Sequence, residues 1–235
     1  MKKTTIFLLA MLVSASVFAQ KPQEYSFGEF KRVSIKGIMQ VEMTQGESNK
    51  VTIEGDEEAT SKVSVEVKGS SLNIRTNALS QLNQKHYDYE RERKKIIVKI
   101  TFTAIQELEV GRGAYVDVSS VVKANHFDLV ASSGGIVKIE VDTPSLVADV
   151  TQGGIINISG KAAYQDSRVN TGGELHAYKL ESQDLTIKAN TGGVAQVNTT
   201  KSIEARAGTG GEINYKGNPR QRDVSTSLGG EVRQN

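Results

Sequence analysis

The sequence contains no cysteine and no tryptophan, and only three prolines among 235 residues. Without cysteine there can be no disulfide, no thiolate metal site and no cysteine nucleophile. The thiol on which a lipoprotein anchor is built is missing too. Long hydrophobic runs are also scarce. The clearest, Ile6 to Val13, is interrupted soon after by Ser14 and Ser16 and falls short of the ~20 apolar residues a bilayer-spanning helix needs. It follows Lys2 and Lys3 and precedes Val17-Phe18-Ala19, so residues 1–19 read as a secretory signal peptide cut before Gln20. No transmembrane segment is expected in the mature chain. An excess of either charge is lacking as well. The leader holds two Lys and no acid, so the 29 basic and 27 acidic residues of the whole chain become 27 and 27. Such a balance gives no electrostatic case for nucleic acid or for an anionic membrane surface. Export leaves the periplasm, the cell surface or the extracellular space as the expected location.

What the chain does have is glycine, in pairs. They stand at Gly134-Gly135, Gly153-Gly154, Gly172-Gly173, Gly192-Gly193, Gly210-Gly211 and Gly229-Gly230, spaced by 19, 19, 20, 18 and 19 residues. Three residues before the first glycine of each pair come Ala131, Val150, Val169, Ala189, Ala207 and Thr226. Three residues after it come Val137, Ile156, Leu175, Ala195, Ile213 and Val232. The column between apolar positions, four after the first glycine, is polar: Lys138, Asn157, His176, Gln196, Asn214 and Arg233. Alternation of this kind marks two half-buried strands flanking a corner. A unit of about 19 residues cannot bury its apolar face alone, but stacked copies can. The fold class is therefore all-β, a β-helix or β-solenoid with Gly-Gly corners, where glycine allows positive φ and close backbone approach.

The regular repeat is assigned to 105–235. Residues 20–104 form a less regular N-terminal β portion, in which Val33, Ile35, Val41 and Met43 keep the alternation without a glycine pair. A polar stretch at 77–95 interrupts it and reads as a long solvated loop or short helix leaving the β framework. The chain ends six residues after Gly229, so the last coil is expected to be an open edge. Its charges, Arg220, Arg222, Asp223 and Arg233, would blunt that edge unless a partner or self-association covers it.

At these residues the sequence resembles the head GIN domain family of autotransporter adhesins. The motif appears as Gly211-Glu212-Ile213-Asn214 and as Gly154-Ile155-Ile156-Asn157, each with one residue inserted. Phe30-Lys31-Arg32-Val33-Ser34-Ile35, followed by Val41-Glu42-Met43-Thr44-Gln45-Gly46, also fits, and the resemblance covers most of 27–235. It implies a secreted β-helical protein at or near the cell surface and brings no catalytic residues with it. No autotransporter barrel is recognised in this chain, so self-transport is not expected of it.

β-Helices also carry polysaccharide lyases and hydrolases, which need clustered carboxylates. Two interrupted acidic columns exist: Glu174, Glu212 and Glu231, and Asp128, Asp166, Glu204 and Asp223. Arg168, Lys188 and Arg206 stand two residues beyond the second column's positions, as on an ordinary solvated face. His86, His126 and His176 have no zinc spacing. Ser132-Ser133-Gly134-Gly135 is no nucleophile elbow, and no glycine pair continues into a phosphate loop. The expectation is a protein with no catalytic residues, no metal and no cofactor. A ligand strip could be formed by Asn157, His176, Gln196 and Asn214, suited to hydrogen-bonding a sugar, although the same column would serve as an ordinary polar strand face. Tyr87 and Tyr89 could offer an aromatic platform on the 77–95 excursion. The leading expectation is a non-enzymatic adhesin or surface-interaction module meeting a glycan or a surface protein. A polysaccharide-active enzyme and a structural envelope component are the alternatives.

Overall fold

The computed structural model describes residues 22–76 and 89–235. The signal-peptide reading of 1–19, Tyr87, His86 and the first part of the 77–95 stretch lie outside the described residues.

The period-two runs become strands because alternation puts one set of side chains inward and the other in water. Before residue 77 come β1 (Gln23–Phe27), β2 (Arg32–Lys36), β3 (Gln40–Gln45), β4 (Asn49–Gly55), a helical turn α1 (Glu57–Thr60), β5 (Val63–Lys68) and β6 (Ser71–Thr76). A second helical turn, α2 (Tyr89–Arg93), leads into β7 (Ile96–Phe102), β8 (Glu107–Gly111), β9 (Tyr115–Lys123) and β10 (His126–Ser132). The long strands β11 (Ile136–Val150), β12 (Ile155–Asn170), β13 (Glu174–Asn190) and β14 (Val194–Ala207) follow, then β15 (Glu212–Lys216), β16 (Gln221–Thr226) and β17 (Glu231–Gln234).

The chain winds into a stack of parallel coils. The first half of β11 pairs with β9 and its second half with β10, so one long strand supplies both faces of a coil. One face runs β6–β2–β8–β10, through the later halves of β11–β14, to β16. The other runs β7–β3–β9, through the early halves of β11–β14, to β15 and β17. Val137, Ile156, Leu175, Ala195 and Ile213 stand side by side in this second face, fully buried. They share one core cluster with the opposite columns, such as Leu129, Ala148 and Ile187. Burying a leucine or isoleucine side chain stabilises by about 1.5–3 kcal/mol, so each added coil extends a core that no single repeat could close.

The corners explain why glycines come in pairs. At Ser132–Gly135 the two central residues, Ser133 (φ 49°) and Gly134 (φ 71°), are both left-handed, and the Gly135 N–H donates to the Ser132 carbonyl at 2.9 Å. That is a type I′ turn. The two glycines have separate tasks. The first takes the left-handed backbone, and a Cβ on it would meet nothing within 4 Å. The second lies against the preceding coil: a Cβ on Gly154 would stand 2.4 Å from the Ala131 carbonyl oxygen. The residue before each pair is left-handed without being glycine. These positions include Thr171, Thr191 and Thr209, whose β-branching makes the conformation costly. Upstream, Arg112-Gly113-Ala114 makes the same kind of corner with alanine in the second place.

Two features of the stack could not be expected from its repeat, and a third carries the expected blunting of the last edge into the core. The coil formed by β2 and β3 lies between those of β6–β7 and β8–β9, so chain order and spatial order differ. The first end is closed by antiparallel strands: β5 on β6, β4 on β7 and β1 on β4. At the other end, Arg222 stands in register with the core residue Ile203, and Gln234 with Tyr215. Arg222 Nη1 donates to Gln234 Oε1 at 3.0 Å, the Tyr215 hydroxyl donates to the same oxygen at 3.2 Å, and Gln234 Nε2 donates to the Gly217 carbonyl at 2.9 Å. Two inward-pointing positions of the last coil, Arg222 and Gln234, are therefore polar and bonded to each other across the two faces, while Val224 and Val232 keep apolar places beside them.

Candidate functional site

The outward columns build a groove on the face made by β3, β9 and the early halves of β11–β14. It encloses about 930 Å³. Its floor is the column four residues past the corner, now seen to extend upstream: Glu42, Asp117, Lys138, Asn157, His176 and Gln196 are consecutive ladder neighbours on six strands. The strand period keeps all of them outward while Val137, Ile156 and Leu175 stay in the core.

Irregularities in the ladder shape one wall. The register shifts between Lys138 and Glu140 against β9, and between Asn157 and Ser159 against β13, with extra residues in β9 and β13. Such bulges bend a strand and re-aim its side chains. In β9 the bulge is stitched to β3: Ser119 Oγ lies 2.8 Å from Thr44 Oγ1, and the Gln45 N–H donates to Ser120 Oγ at 2.8 Å. In β13 the bulge brings Tyr178 and Lys179 to the groove beside His176. Tyr178 is held from behind. Lys216 Nζ sits 4.3 Å from its ring centroid, and Asn235 Nδ2 donates to its hydroxyl at 2.6 Å. Tyr115 is the second aromatic residue of the lining.

The polar groups of the floor differ in how they are engaged. Lys138 Nζ lies 3.0 Å from Asp117 Oδ2, and this hydrogen bond and charge raise the lysine pKa above its ordinary value. His176 Nε2 lies 3.1 Å from Glu174 Oε2, and its Nδ1 lies 3.3 Å from Gln196 Oε1. The half-buried Asn157 side chain has no hydrogen-bond partner among the described residues. The expected strip is thus partly assembled here: Asn157, His176 and Gln196 line the groove. Asn214 continues the column on β15 beside Gln196, outside the lining, with its amide donating to Glu212 Oε1 at 2.6 Å. Tyr89 begins α2, which enters the face at β7, next to β3. Gln40, Glu42, Tyr115, Asp117 and Tyr178 were not singled out in the sequence. The first four precede the glycine ladder, and Tyr178 leaves its column through the bulge.

The acidic columns have a recurrent arrangement. Asp128 meets His126 at 2.9 Å, Asp166 meets Arg168 at 3.1 Å, and Glu204 meets Arg206 at 2.9 Å, in each case two residues along the same strand. Glu174 meets His176, Glu212 meets Asn214 and Glu231 meets Arg233 in the same way. Glu212 and Glu231 do lie side by side on neighbouring coils. Each of these six carboxylates is engaged by a residue of its own strand, and Asp223 faces Arg206 of the neighbouring strand at 4.0 Å. Among the described residues, no group of three or more His, Asp or Glu is placed to hold a metal ion. No described helix is long and apolar enough to cross a membrane.

The family profile described as "Putative auto-transporter adhesin, head GIN domain" matches residues 29–219. Among solved structures, the chain is similar to a "putative adhesin" from Bacteroides fragilis NCTC 9343, with a TM-score of 0.81 at 19% identity over 92% of this chain and 96% of that one. A "putative adhesin" from Parabacteroides distasonis ATCC 8503 gives 0.68 at 20% identity, again over 92% and 96%. A "Putative lipid binding protein" from the same organism gives 0.64 at 20% identity over the same shares. At such identities the likeness is one of fold. No curated protein matches the sequence.

Proposed function

The chain belongs to the auto-transporter adhesin head GIN domain family, and from that membership we propose that it is an exported, non-enzymatic surface module whose groove holds a glycan. The observation that carries this reading is the lining itself. Amide and imidazole side chains stand in one file, flanked by Tyr115 and Tyr178. Sugars are recognised by that combination, because their hydroxyls need donors and acceptors while their C–H faces stack on aromatic rings. The amide of Asn157, without a hydrogen-bond partner among the described residues, and the restrained ring of Tyr178 supply both halves. The engaged carboxylates support a binding role over a hydrolytic one. The signal peptide read at residues 1–19 supports export.

The test uses the mature protein, residues 20–235, on a glycan array followed by calorimetry on whatever is retained. A double substitution, His176→Ala with Tyr178→Ala, should lower affinity at least tenfold. Retention of no glycan above background, or unchanged affinity in the double variant with its fold intact by circular dichroism, would sink the reading. Bound oligosaccharide should be recovered at its original length.

A further inference from the structure

We infer that the groove takes a linear, uncharged polysaccharide lying along the stack axis, with one sugar unit over each coil; this rests on the glycan reading above and adds the ligand's shape, charge and direction.

The direction follows from the dimensions of the lining. It draws on six neighbouring strands, β3, β9, β11, β12, β13 and β14, which span roughly 24 Å at a strand spacing of about 4.8 Å. Across the strands the site is short, because the glycine corner lies on one side of the floor column and the bulges on the other. A ligand that fills the groove must therefore run from coil to coil. The spacing between coils is close to the length of one pyranose unit, so a polymer of such units stays in step with the floor. Each unit would meet the side chain presented by one coil: Asp117 with Lys138, then Asn157, His176 and Gln196.

The absence of charge follows from the census. The lining holds two lysines, Lys138 and Lys179, against three carboxylates, Glu42, Asp117 and Glu140, and no arginine. Lys138 is already paired with Asp117. Uronates, sulfates and phosphates are captured by unpaired cations, above all by the arginine fork; the floor offers none, and Lys179 in the wall is outnumbered by Glu42 and Glu140, the carboxylates left over from the Asp117–Lys138 pair. From Asn157 to Gln196 the file is made only of amides and an imidazole, which suit hydroxyl groups. Tyr178 stands in the wall beside this part of the file, held by Lys216 and Asn235.

The experiment is calorimetry of the mature protein with linear neutral oligosaccharides of two to eight units, in gluco, manno and xylo series, beside matched uronate and sulfated series. Affinity in at least one neutral series should rise with each unit, by roughly three- to tenfold, the worth of one net hydrogen bond, and level off near six units, one for each of the six coils of the lining. Gln196→Ala and Gln40→Ala, at opposite ends, should each weaken a hexamer, while no dimer loses affinity to both. Equal affinity for dimers and hexamers, or tighter binding of branched or anionic glycans, overturns this inference and leaves the glycan reading standing. Failure of every glycan to bind overturns both.

Discussion

The two ends of the stack face the same problem and solve it in different ways. A parallel coil leaves its outer neighbour position empty, with a row of backbone donors and acceptors and an apolar interior open to water. At the first end the chain reverses direction, and antiparallel β5, β4 and β1 cover both faces. Val51 and Ile53 of β4 are buried there as deeply as any residue in the middle. At the far end none of the described residues is laid over the last coil. Instead two of its inward positions change chemistry: Arg222 and Gln234 take the places that Ile203 and Tyr215 hold in the coil before and bond across the gap. The first end is closed by packing, the second by polarity. Only the first should contribute strongly to stability, and only the second should be easy to convert into a sticky surface.

The largest effect expected from that contrast comes from placing the same charge at each end. Val51→Asp buries an unpaired carboxylate and should cost about 3–5 kcal/mol. Val224→Asp, at a site 45% exposed, should stay within about 0.5 kcal/mol. Urea unfolding of the two variants measures both, and equal losses would abolish the distinction. Next come the corner glycines. Gly154→Ala forces a methyl onto the Ala131 carbonyl inside the stack and should cost about 3 kcal/mol. Gly230→Ala meets Ala207 just as closely, yet its coil can fray, so the loss should be at most about 1 kcal/mol. Hydrogen exchange would show opening confined to β16 and β17. Third, Arg222→Leu with Gln234→Val should leave the melting temperature nearly unchanged and produce dimers or longer species by light scattering. A variant of unchanged mass would show that the polar pair does not guard this end.

The smallest effect is an acid response near the first end. Glu109 on β8 accepts from Ser34 Oγ at 2.8 Å and pairs with Lys36 Nζ at 2.6 Å, both on β2. Burial pushes its pKa up, but the bonds from Lys36 and Ser34 outweigh it and hold the carboxyl below its ordinary 4.5. A depressed folded pKa means the contribution is present above about pH 4.5 and is lost as the pH falls through the lower folded value. Solvent screening keeps it under about 1 kcal/mol. Glu109→Gln should therefore be slightly less stable than the native protein at pH 7, with the gap closing in acid. A gap that widens below pH 4 contradicts the assignment.

The regular coils were legible because each repeats the same local geometry. Ala131, Val150 and Val169 had to be inward once the period was seen, and the Gly-Gly corners followed from it. The position of the β2–β3 coil was not legible. Val33 and Ile35 announce a strand, but nothing in their spacing says that β6 and β8 will flank it, since no repeat links residues so far apart in the chain. The left-handed threonines were hidden for a different reason: Thr171 and Thr191 are poor left-handed residues, and the stack imposes the turn on them. The groove was half legible. Asn157, His176 and Gln196 lie in one column by periodicity. The wall depends on register shifts at Ser159 and in β13, which follow no period, and so Tyr178 escaped notice.

The corner hydrogen bonds lead to a mechanical consequence. The Gly153 N–H donates to the Thr171 carbonyl, Gly172 to Thr191 and Gly192 to Thr209, each bond joining one coil to the next. A load applied between the two ends of the stack would act along these bonds and the strand ladders beside them. Each link must then yield in turn, and one coil of 19 residues would pay out about 65 Å of chain. A stack built in this way would lengthen by about one coil at a time, while the coils still stacked kept their groove.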